Sequence, residues 1–172
     1  MRRKLALPVM ICLALVLLAL PLAACTPAAL VASLEVDPPT FELDMTMVEV
    51  APGVYYPMLL IVPITFTGSG WAPGETVAID LVPGEVEFPA VEPGENVGIA
   101  FAVADEDGNI ETTMESITKI YILMRADIPG ETMALDPATI DLIPAGVYTI
   151  QATGATSGAV GTTTIEFVMP AE

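Results

Sequence analysis

The stretch GVYTIQAT, residues 146–153, alternates apolar and polar side chains along its length. One face carries Tyr148, Ile150 and Ala152, whereas the residues between them are polar. A period of two with a single apolar face is typical of a β-strand that is half-buried against a second layer. This stretch therefore predicts one strand of a layered β protein.

Four further stretches show the same alternation. The positions on the predicted inward face are Val62, Ile64 and Phe66; Val77, Ile79 and Leu81; Val97, Ile99, Phe101 and Val103; and Thr163, Ile165 and Phe167. Pro-Gly pairs, which favour type II turns, recur between and around these stretches, at residues 52–53, 73–74, 83–84, 93–94 and 129–130. Many short strands with such turns predict an all-β fold, an Ig-like β-sandwich of about seven strands.

Two aromatic residues fit positions in such a sandwich. Tyr148 follows Pro144 and Gly146, a spacing that suits a tyrosine corner, in which the hydroxyl bonds to backbone just upstream. Trp71 stands in a glycine-rich turn before a strand, and we expect it to close one end of the core. The alternative for Trp71 is an exposed ring that stacks on sugars.

Two segments interrupt the strand pattern. Residues 83–96 are rich in proline and acid and predict a long loop or a short edge strand. Residues 113–128 have apolar side chains at helical spacing, although the β-branched residues at 117–122 also suit a strand. We favour a short helix across an open end of the sandwich, within an insertion at about 111–143. Its apolar residues Ile117, Tyr121 and Met124 are candidates for a partner surface.

Three motifs resemble bacterial Ig-like surface domains of the IPT/TIG kind. They are GSGWAPGETV at residues 68–77, ADEDGNI at 104–110 and PAGVYTIQATG at 144–154, in the order of that family. The resemblance implies an Ig-like surface domain over about residues 61–168. The insertion at 111–143 is longer than such domains usually have.

The N-terminus resembles the signal peptide of bacterial lipoproteins. Arg2, Arg3 and Lys4 precede an apolar run over residues 5–24, and a lipobox, Leu22-Ala23-Ala24-Cys25, follows. The resemblance implies cleavage after Ala24 and a diacylglyceryl group on Cys25, the covalent lipid being the one modification we expect. The alternative is an uncleaved anchor, since about 20 apolar residues can span a bilayer.

This reading divides the chain into a signal peptide at 1–24, a lipidated tether at 25–33 and a β-sandwich domain at 34–170. It predicts an extracytoplasmic, membrane-anchored lipoprotein, at the cell surface or in an outer membrane. Residue 26 is Thr, whereas Asp after the lipidated Cys commonly retains such proteins in the inner membrane.

The exported part is strongly acidic. It keeps Lys119 and Arg125 against all 22 acidic residues, a formal net charge of −20. A surface of this sign repels phosphate backbones, so we expect no nucleic-acid partner. It also repels anionic lipid headgroups, so acyl chains rather than the protein surface should hold the membrane.

Catalytic residue types are scarce. The chain has no histidine, Cys12 lies in the signal segment and Cys25 is expected to carry lipid. This excludes Ser-His-Asp and Cys-His catalysis, and zinc sites built from His or Cys, in the exported domain. No pair of carboxylates stands out, so the sequence predicts that the protein is not an enzyme and has no cofactor.

One acidic turn could bind calcium weakly, through Asp105, Asp107 and Asn109. The turn fails the EF-hand pattern, because alignment on Gly108 places Met114 where a carboxylate is required. The simpler interpretation is a hairpin with Gly108 in the left-handed conformation.

Two functions fit these observations. The first is a lipid-anchored, extracytoplasmic Ig-like module that acts by binding, in surface attachment, adhesion or scaffolding, with an envelope protein or polysaccharide as partner. The second is an accessory subunit that docks to an exported or membrane enzyme complex through the 111–143 insertion. An apolar patch left exposed around Ile117 would favour docking, whereas a uniformly acidic surface would favour the first.

Overall fold

A computed structural model describes residues 31–82, 84, 86, 88, 91–92, 94–126 and 137–171. The signal segment, Cys25 and the tether up to residue 30 therefore lie outside the described residues. The described strands are β1 (Ser33–Asp37), β2 (Thr40–Glu42), β3 (Met47–Ala51), β4 (Val54–Pro57), β5 (Thr65–Ser69), β6 (Thr76–Val82), β7 (Val97–Val103), β8 (Asn109–Thr113), β9 (Gly146–Gly154) and β10 (Val160–Val168). The helices are α1 (Met58–Ile61), α2 (Ser116–Ile122) and a 3-10 turn at Pro137–Thr139.

The strands form two main sheets and a separate hairpin. One sheet has the order β1-β5-β8, the other has the order β2-β10-β9-β6-β7, and β3 pairs with β4 alone. All pairs are antiparallel except β2 with β10. The all-β sandwich is confirmed. Within the described part of the chain, eight strands build the two sheets and the hairpin adds two, more than the predicted seven or so.

The core lies between the two sheets. Phe66 of β5 and Leu81, Ile150 and Ile165 of the other sheet line the same interior space. All four are almost completely buried, and burying one such side chain contributes about 1.5–3 kcal/mol. The alternation in the sequence thus identified the inward faces of β5, β6, β9 and β10 correctly.

The register gives the sandwich two distinct ends. Ser33, Ser69 and Asn109 lie side by side at one end, and the Ala32 N–H donates to the Val160 carbonyl there (3.0 Å). We call this the N-terminal end. The opposite ends of β1 and β5, at Asp37 and Thr65, mark what we call the distal end.

The boundary between tether and domain requires a correction. Val31 forms a bridge with Val160, Ala32 is buried and Ser33 pairs with Ser69. These three residues complete the sheets and thus belong to the sandwich, although they were predicted to lie in the tether at 25–33.

The predicted inward face of β7 is wrong in its second half. Val97 and Ile99 are buried, but Phe101 is 71% exposed and Val103 is 63% exposed. The register of β7 against β6 shifts by one residue at Ile99, since Ala100 pairs with Ile79 and Gly98 with Asp80. A bulge of this kind sends the following side chains to the opposite face.

The insertion also begins later than predicted. Residues 111–113 belong to β8 and pair with β5, so the extra segment starts at Met114. Helix α2 confirms the favoured helix within 113–128. The described residues of 83–96 lie in no strand, as expected for a loop, whereas the predicted turn at 128–131 lies outside the described residues.

The tyrosine corner is confirmed. The Tyr148 hydroxyl donates to the Pro144 carbonyl at 2.8 Å, and its ring packs against Phe167 with centroids 5.3 Å apart. Burial raises the pKa of the Tyr148 phenol. The contact fixes the path by which the chain enters β9 from the distal end.

Candidate functional site

A group of large apolar side chains remains open to solvent at the distal end. Each is between 41% and 55% exposed. They are Met47, Val50, Val54, Tyr55, Tyr56, Ile61, Ile117 and Tyr121. We call this group the distal apolar surface. Soluble domains rarely leave so many large apolar side chains exposed in one region unless the surface binds something.

The β3–β4 hairpin supplies most of this surface. The chain leaves the sandwich after Leu43, whose N–H donates to the Val168 carbonyl (2.9 Å). It returns at Ile64, whose carbonyl accepts the Met114 N–H (2.9 Å). Between these points β3 and β4 pair only with each other, and most of their residues are exposed. An isolated hairpin is marginal in water, so contacts at its base must position it.

Helices α1 and α2 provide that base. A groove of about 310 Å³ lies between Tyr56, Ile61 and Ile117. The Ser116 hydroxyl, at the start of α2, donates to the Leu60 carbonyl in α1 (3.2 Å). The groove joins the face of the hairpin that carries Tyr56 to both helices, whereas Tyr55, the next residue along β4 toward the turn, lies on the other face of the hairpin.

Lys119, on α2, connects that helix to α1 through hydrogen bonds. Its Nζ donates to the Leu59 carbonyl (3.2 Å) and to the Val62 carbonyl, and lies 5.5 Å from the centroid of the Phe41 ring. Lys119 is 1% exposed, and this burial lowers the pKa of its ammonium to about 8. The cation satisfies carbonyls at the end of α1 and holds the base of the hairpin on the sandwich.

The three predicted partner residues do not share one environment. Ile117 and Tyr121, one turn apart on α2, are both exposed and belong to the distal apolar surface. Met124 is fully buried, so its assignment to a partner surface was wrong. Its N–H donates to the Lys119 carbonyl (3.0 Å) and its carbonyl accepts the Asp141 N–H (3.0 Å). These bonds end the helix and turn the chain inward.

The sequence analysis missed the hairpin. Residues 45–64 contain one charged side chain, Glu49, in a chain with 22 acids. That local absence of charge, with Tyr55 and Tyr56 beside a Pro-Gly turn, was the available signal. No element was predicted there, because an apolar run alone does not tell whether the sandwich has room for it.

The acidic turn at 105–109 is a hairpin connection. The Asp105 carboxylate accepts the N–H groups of Asp107 (2.9 Å) and Asn109 (2.8 Å), and Gly108 has φ of +78°. These hydrogen bonds, the Asn109 backbone bond first, lower the pKa of Asp105. The hairpin interpretation is confirmed. Calcium binding by Asp105, Asp107 and Asn109 stays a prediction, with the Asp105 carboxylate already used within the turn.

Trp71 closes the N-terminal end of the core. It is 4% exposed, which confirms its structural role and contradicts the sugar-stacking alternative for this residue. Gly68 and Gly108 pack closely against it. A Cβ added at Gly68 would lie 2.8 Å from the Trp71 ring, and one added at Gly108 would lie 2.3 Å from the Trp71 carbonyl oxygen. The first two motifs of the sequence analysis therefore meet at this tryptophan.

Glu75, in the first motif, is a buried structural carboxylate. It accepts hydrogen bonds from the Ala72 N–H (2.6 Å), from the Thr156 N–H and hydroxyl (3.0 and 2.8 Å) and from the Ser157 N–H and hydroxyl (2.9 and 2.6 Å). Burial alone raises its pKa, but these hydrogen bonds outweigh burial and lower the pKa to about 2. Glu75 thereby ties the Trp71 turn to the β9–β10 turn.

The described residues hold no group of three His, Cys, Asp or Glu side chains arranged to bind a metal ion. Within that same part of the chain, no helix has the length and apolarity needed to cross a bilayer. Leu22, Ala23, Ala24 and Cys25 lie outside it, so their predicted roles stay predictions.

Comparisons with known proteins give distant likenesses of fold. No protein-family profile matches the chain, and no curated protein matches its sequence. A β-glucosidase from Listeria innocua shares 9% identity over 80% of this chain and 16% of its own, with a TM-score of 0.38. The bacterial hydrophobin BslA shares 12% identity over 84% of this chain and 100% of its own, with a TM-score of 0.36.

A second β-glucosidase, DesR from Streptomyces venezuelae, shares 12% identity over 78% of this chain and 15% of its own, with a TM-score of 0.32. This chain thus spans about a sixth of the length of the two glucosidases. At these identities and TM-scores the likenesses carry no function to this chain.

Proposed function

We propose that this protein is a lipid-anchored, extracytoplasmic Ig-like module that holds a partner protein at the cell envelope. The distal apolar surface is the docking face. An exposed apolar docking face favours the hypothesis of an accessory subunit over that of a surface module with a uniformly acidic surface. The observation that carries the proposal is the exposure of eight large apolar side chains at one end of an otherwise acidic domain.

The position of that surface supports a partner over the anchoring bilayer. The described domain begins at Val31, at the N-terminal end, and five residues, 26–30, separate it from a lipid on Cys25. The six steps from residue 25 to residue 31 reach at most about 20 Å when fully extended. The nine residues of β9 or β10 extend about 30 Å toward the distal end. The docking face therefore lies at the end of the sandwich opposite the attachment of the lipid.

Charge defines the chemistry of the partner. The hairpin that supplies most of the distal apolar surface carries Glu49, and Asp44 lies at the base of the hairpin, within a domain of formal charge −20. A complementary face is apolar at its centre and carries Lys or Arg at its rim, because such a rim pairs with these acids and avoids like-charge repulsion.

The test uses a photo-cross-linking residue at position 121 in the full chain on intact cells, with the same residue at position 147 as control. Val147 is also exposed but lies on the outer face of the five-stranded sheet. We expect one protein in near-stoichiometric yield from position 121 alone. That protein, purified, should bind the full chain in detergent.

Matched variants decide the role of the surface. Tyr56→Ser with Ile117→Ser should weaken binding of the purified partner at least about 100-fold, as expected for anchors at the centre of an interface. Val147→Ser should leave binding unchanged. Recovery of a second copy of this chain, of envelope polymer alone, or of the same protein from both positions contradicts the proposal.

The anchor is tested separately. Metabolic labelling with a radioactive fatty acid should mark the wild-type chain, and Cys25→Ser should abolish the label and retain the uncleaved precursor. Recovery of the unlabelled wild-type chain in the cytoplasm contradicts the lipoprotein assignment and leaves the docking result unaffected.

A further inference from the structure

A second candidate site lies on the side of the sandwich, apart from the distal apolar surface. Strands β7 and β8 are the edge strands of the two sheets on this side, and the turn at 104–108 joins them at the N-terminal end. A cleft of about 470 Å³ lies between them, with Thr118 of α2 among its lining residues. This volume is within the range of small-molecule sites, about 300–1,000 Å³.

The cleft combines one aromatic ring with polar groups. Phe101 lines it and is 71% exposed because of the bulge in β7. Thr112 and Thr113 also line it, with their hydroxyls bonded to the Phe101 carbonyl and to the Thr65 hydroxyl. Thr118 contributes a hydroxyl group from α2, and Glu115 contributes a carboxylate. Among the described residues, Glu115 is the one charged residue that lines the cleft.

The geometry disfavours an added β-strand as the occupant. The Thr112 hydroxyl donates to the Phe101 carbonyl at 3.1 Å and occupies the acceptor that a pairing strand requires. Thr118 lies on α2, which continues from β8 and contacts β7. An extended peptide would thus lack the backbone hydrogen bond to the Phe101 carbonyl. A compact ligand, in contrast, fits between β7, β8 and α2.

Charge narrows the ligand class further. The Glu115 carboxylate and the acidic domain repel anions. An exposed aromatic face suits an apolar ligand surface, and the carboxylate and threonine hydroxyls suit ligand hydroxyl groups. Both features together describe a pyranose ring, which has an apolar C–H face and a hydroxyl rim.

We propose that the β7–β8 cleft binds a short neutral saccharide. The ring face packs on Phe101, and the saccharide hydroxyls donate to the Glu115 carboxylate and bond to Thr118. Such a site adds a glycan contact to the module, independent of the partner that the distal apolar surface takes.

The experiment uses the isotope-labelled full chain in detergent and a panel of neutral di- to hexasaccharides: cello-, malto-, xylo- and chito-oligosaccharides. We expect at least one series to shift the amide resonances of Gly98, Thr112 and Thr113, with a Kd on the order of 1 mM. Phe101→Ala should weaken this binding about tenfold, as expected for a lost aromatic contact. Glu115→Gln should also weaken it.

Val103→Ala is the matched control, because Val103 is an exposed apolar residue of β7 that does not line the cleft. Its affinity should equal that of the wild type. The proposal is overturned if no series shifts these amides at about 10 mM, if Phe101→Ala binds as tightly as the wild type, or if an extended peptide shifts them and the saccharides do not.

Discussion

At the scale of single residues, Glu75 makes stability depend on pH. Its pKa of about 2 in the folded protein lies below its ordinary value of 4.5. Its stabilisation is therefore fully present above pH 4.5 and is lost as the pH falls toward 2. We expect Glu75→Gln to lower the free energy of unfolding at pH 7 by about 3 kcal/mol, because charge-assisted hydrogen bonds are lost and donors stay buried.

Denaturant unfolding of both proteins between pH 7 and pH 2 measures this effect. The difference between wild type and variant should shrink below pH 4.5. The control Glu106→Gln changes an exposed carboxylate on the neighbouring turn and should change the free energy of unfolding by no more than about 0.5 kcal/mol. An equal loss for the two variants would contradict the role given to Glu75.

Lys119 makes stability rise with pH in a separate, alkaline range. Burial lowers its pKa from 10.5 to about 8, so between these values the unfolded chain binds more protons than the folded one. The contribution of Lys119 to stability therefore rises as the pH increases from 8 to 10.5. The free energy of unfolding of the wild type, relative to that of Lys119→Met, should increase across this pH range. A constant difference would contradict a buried ammonium.

Two glycines with the same backbone conformation should respond differently to alanine. Gly108 and Gly74 have φ of +78° and +76°. An added Cβ at Gly108 meets the Trp71 carbonyl oxygen at 2.3 Å, whereas at Gly74 it meets nothing within 4 Å. Gly74→Ala should cost about 1 kcal/mol from the left-handed conformation alone. Gly108→Ala should cost clearly more, measured by thermal unfolding, and equal losses would contradict the packing against Trp71.

At the scale of elements, regular alternation was a sufficient guide for the inward faces of β5, β6, β9 and β10. It failed in β7, because a bulge at Ile99 moves the side chains of Phe101 and Val103 to the outer face. The identity of neither residue indicates that bulge. The hairpin β3–β4 and the start of the domain at Val31 also escaped prediction. Whether an apolar or small residue pairs in a sheet depends on partners distant in sequence.

The β3–β4 hairpin should be the least protected sheet of the described residues. Each of its strands has one partner, and the hairpin buries few side chains. Native-state hydrogen exchange should therefore show faster exchange for Val48 and Tyr56 amides than for those of Ile150 and Ala152 in the central strand β9. Protection of the hairpin equal to that of β9 would contradict a projecting element. A bound partner should slow exchange in the hairpin specifically.

At the scale of the whole molecule, charge should limit stability. The domain keeps 22 acids against two basic residues, and self-repulsion of this size disfavours the compact state. We expect the thermal midpoint to rise between about 10 mM and 500 mM NaCl as screening increases. A double variant, Glu106→Gln with Glu111→Gln, should show a weaker salt dependence. A midpoint independent of salt would show that the carboxylates are too dispersed to repel.

The candidate sites were partly accessible from the sequence. Ile117 and Tyr121 were identified from helical spacing, which assigns residues to one face of a helix and says nothing about which face is covered. Met124 shows the limit of helical spacing as a guide. It lies just after the end of the helix, where the chain is held by hydrogen bonds from Asp141 and Ile143. The β7–β8 cleft could not be predicted, since it exists only where two sheet edges diverge.

The separation of the two ends of the sandwich has a mechanical consequence. Tension between a lipid near Val31 and a partner on the distal apolar surface runs along the strands. Strand β1 would be pulled lengthwise against β5, with which it pairs over all five of its residues. In that shear geometry the hydrogen bonds share the load instead of breaking one after another. The register of β1 against β5 would thus let the domain resist a pulling force applied along its strands, as the proposed function requires.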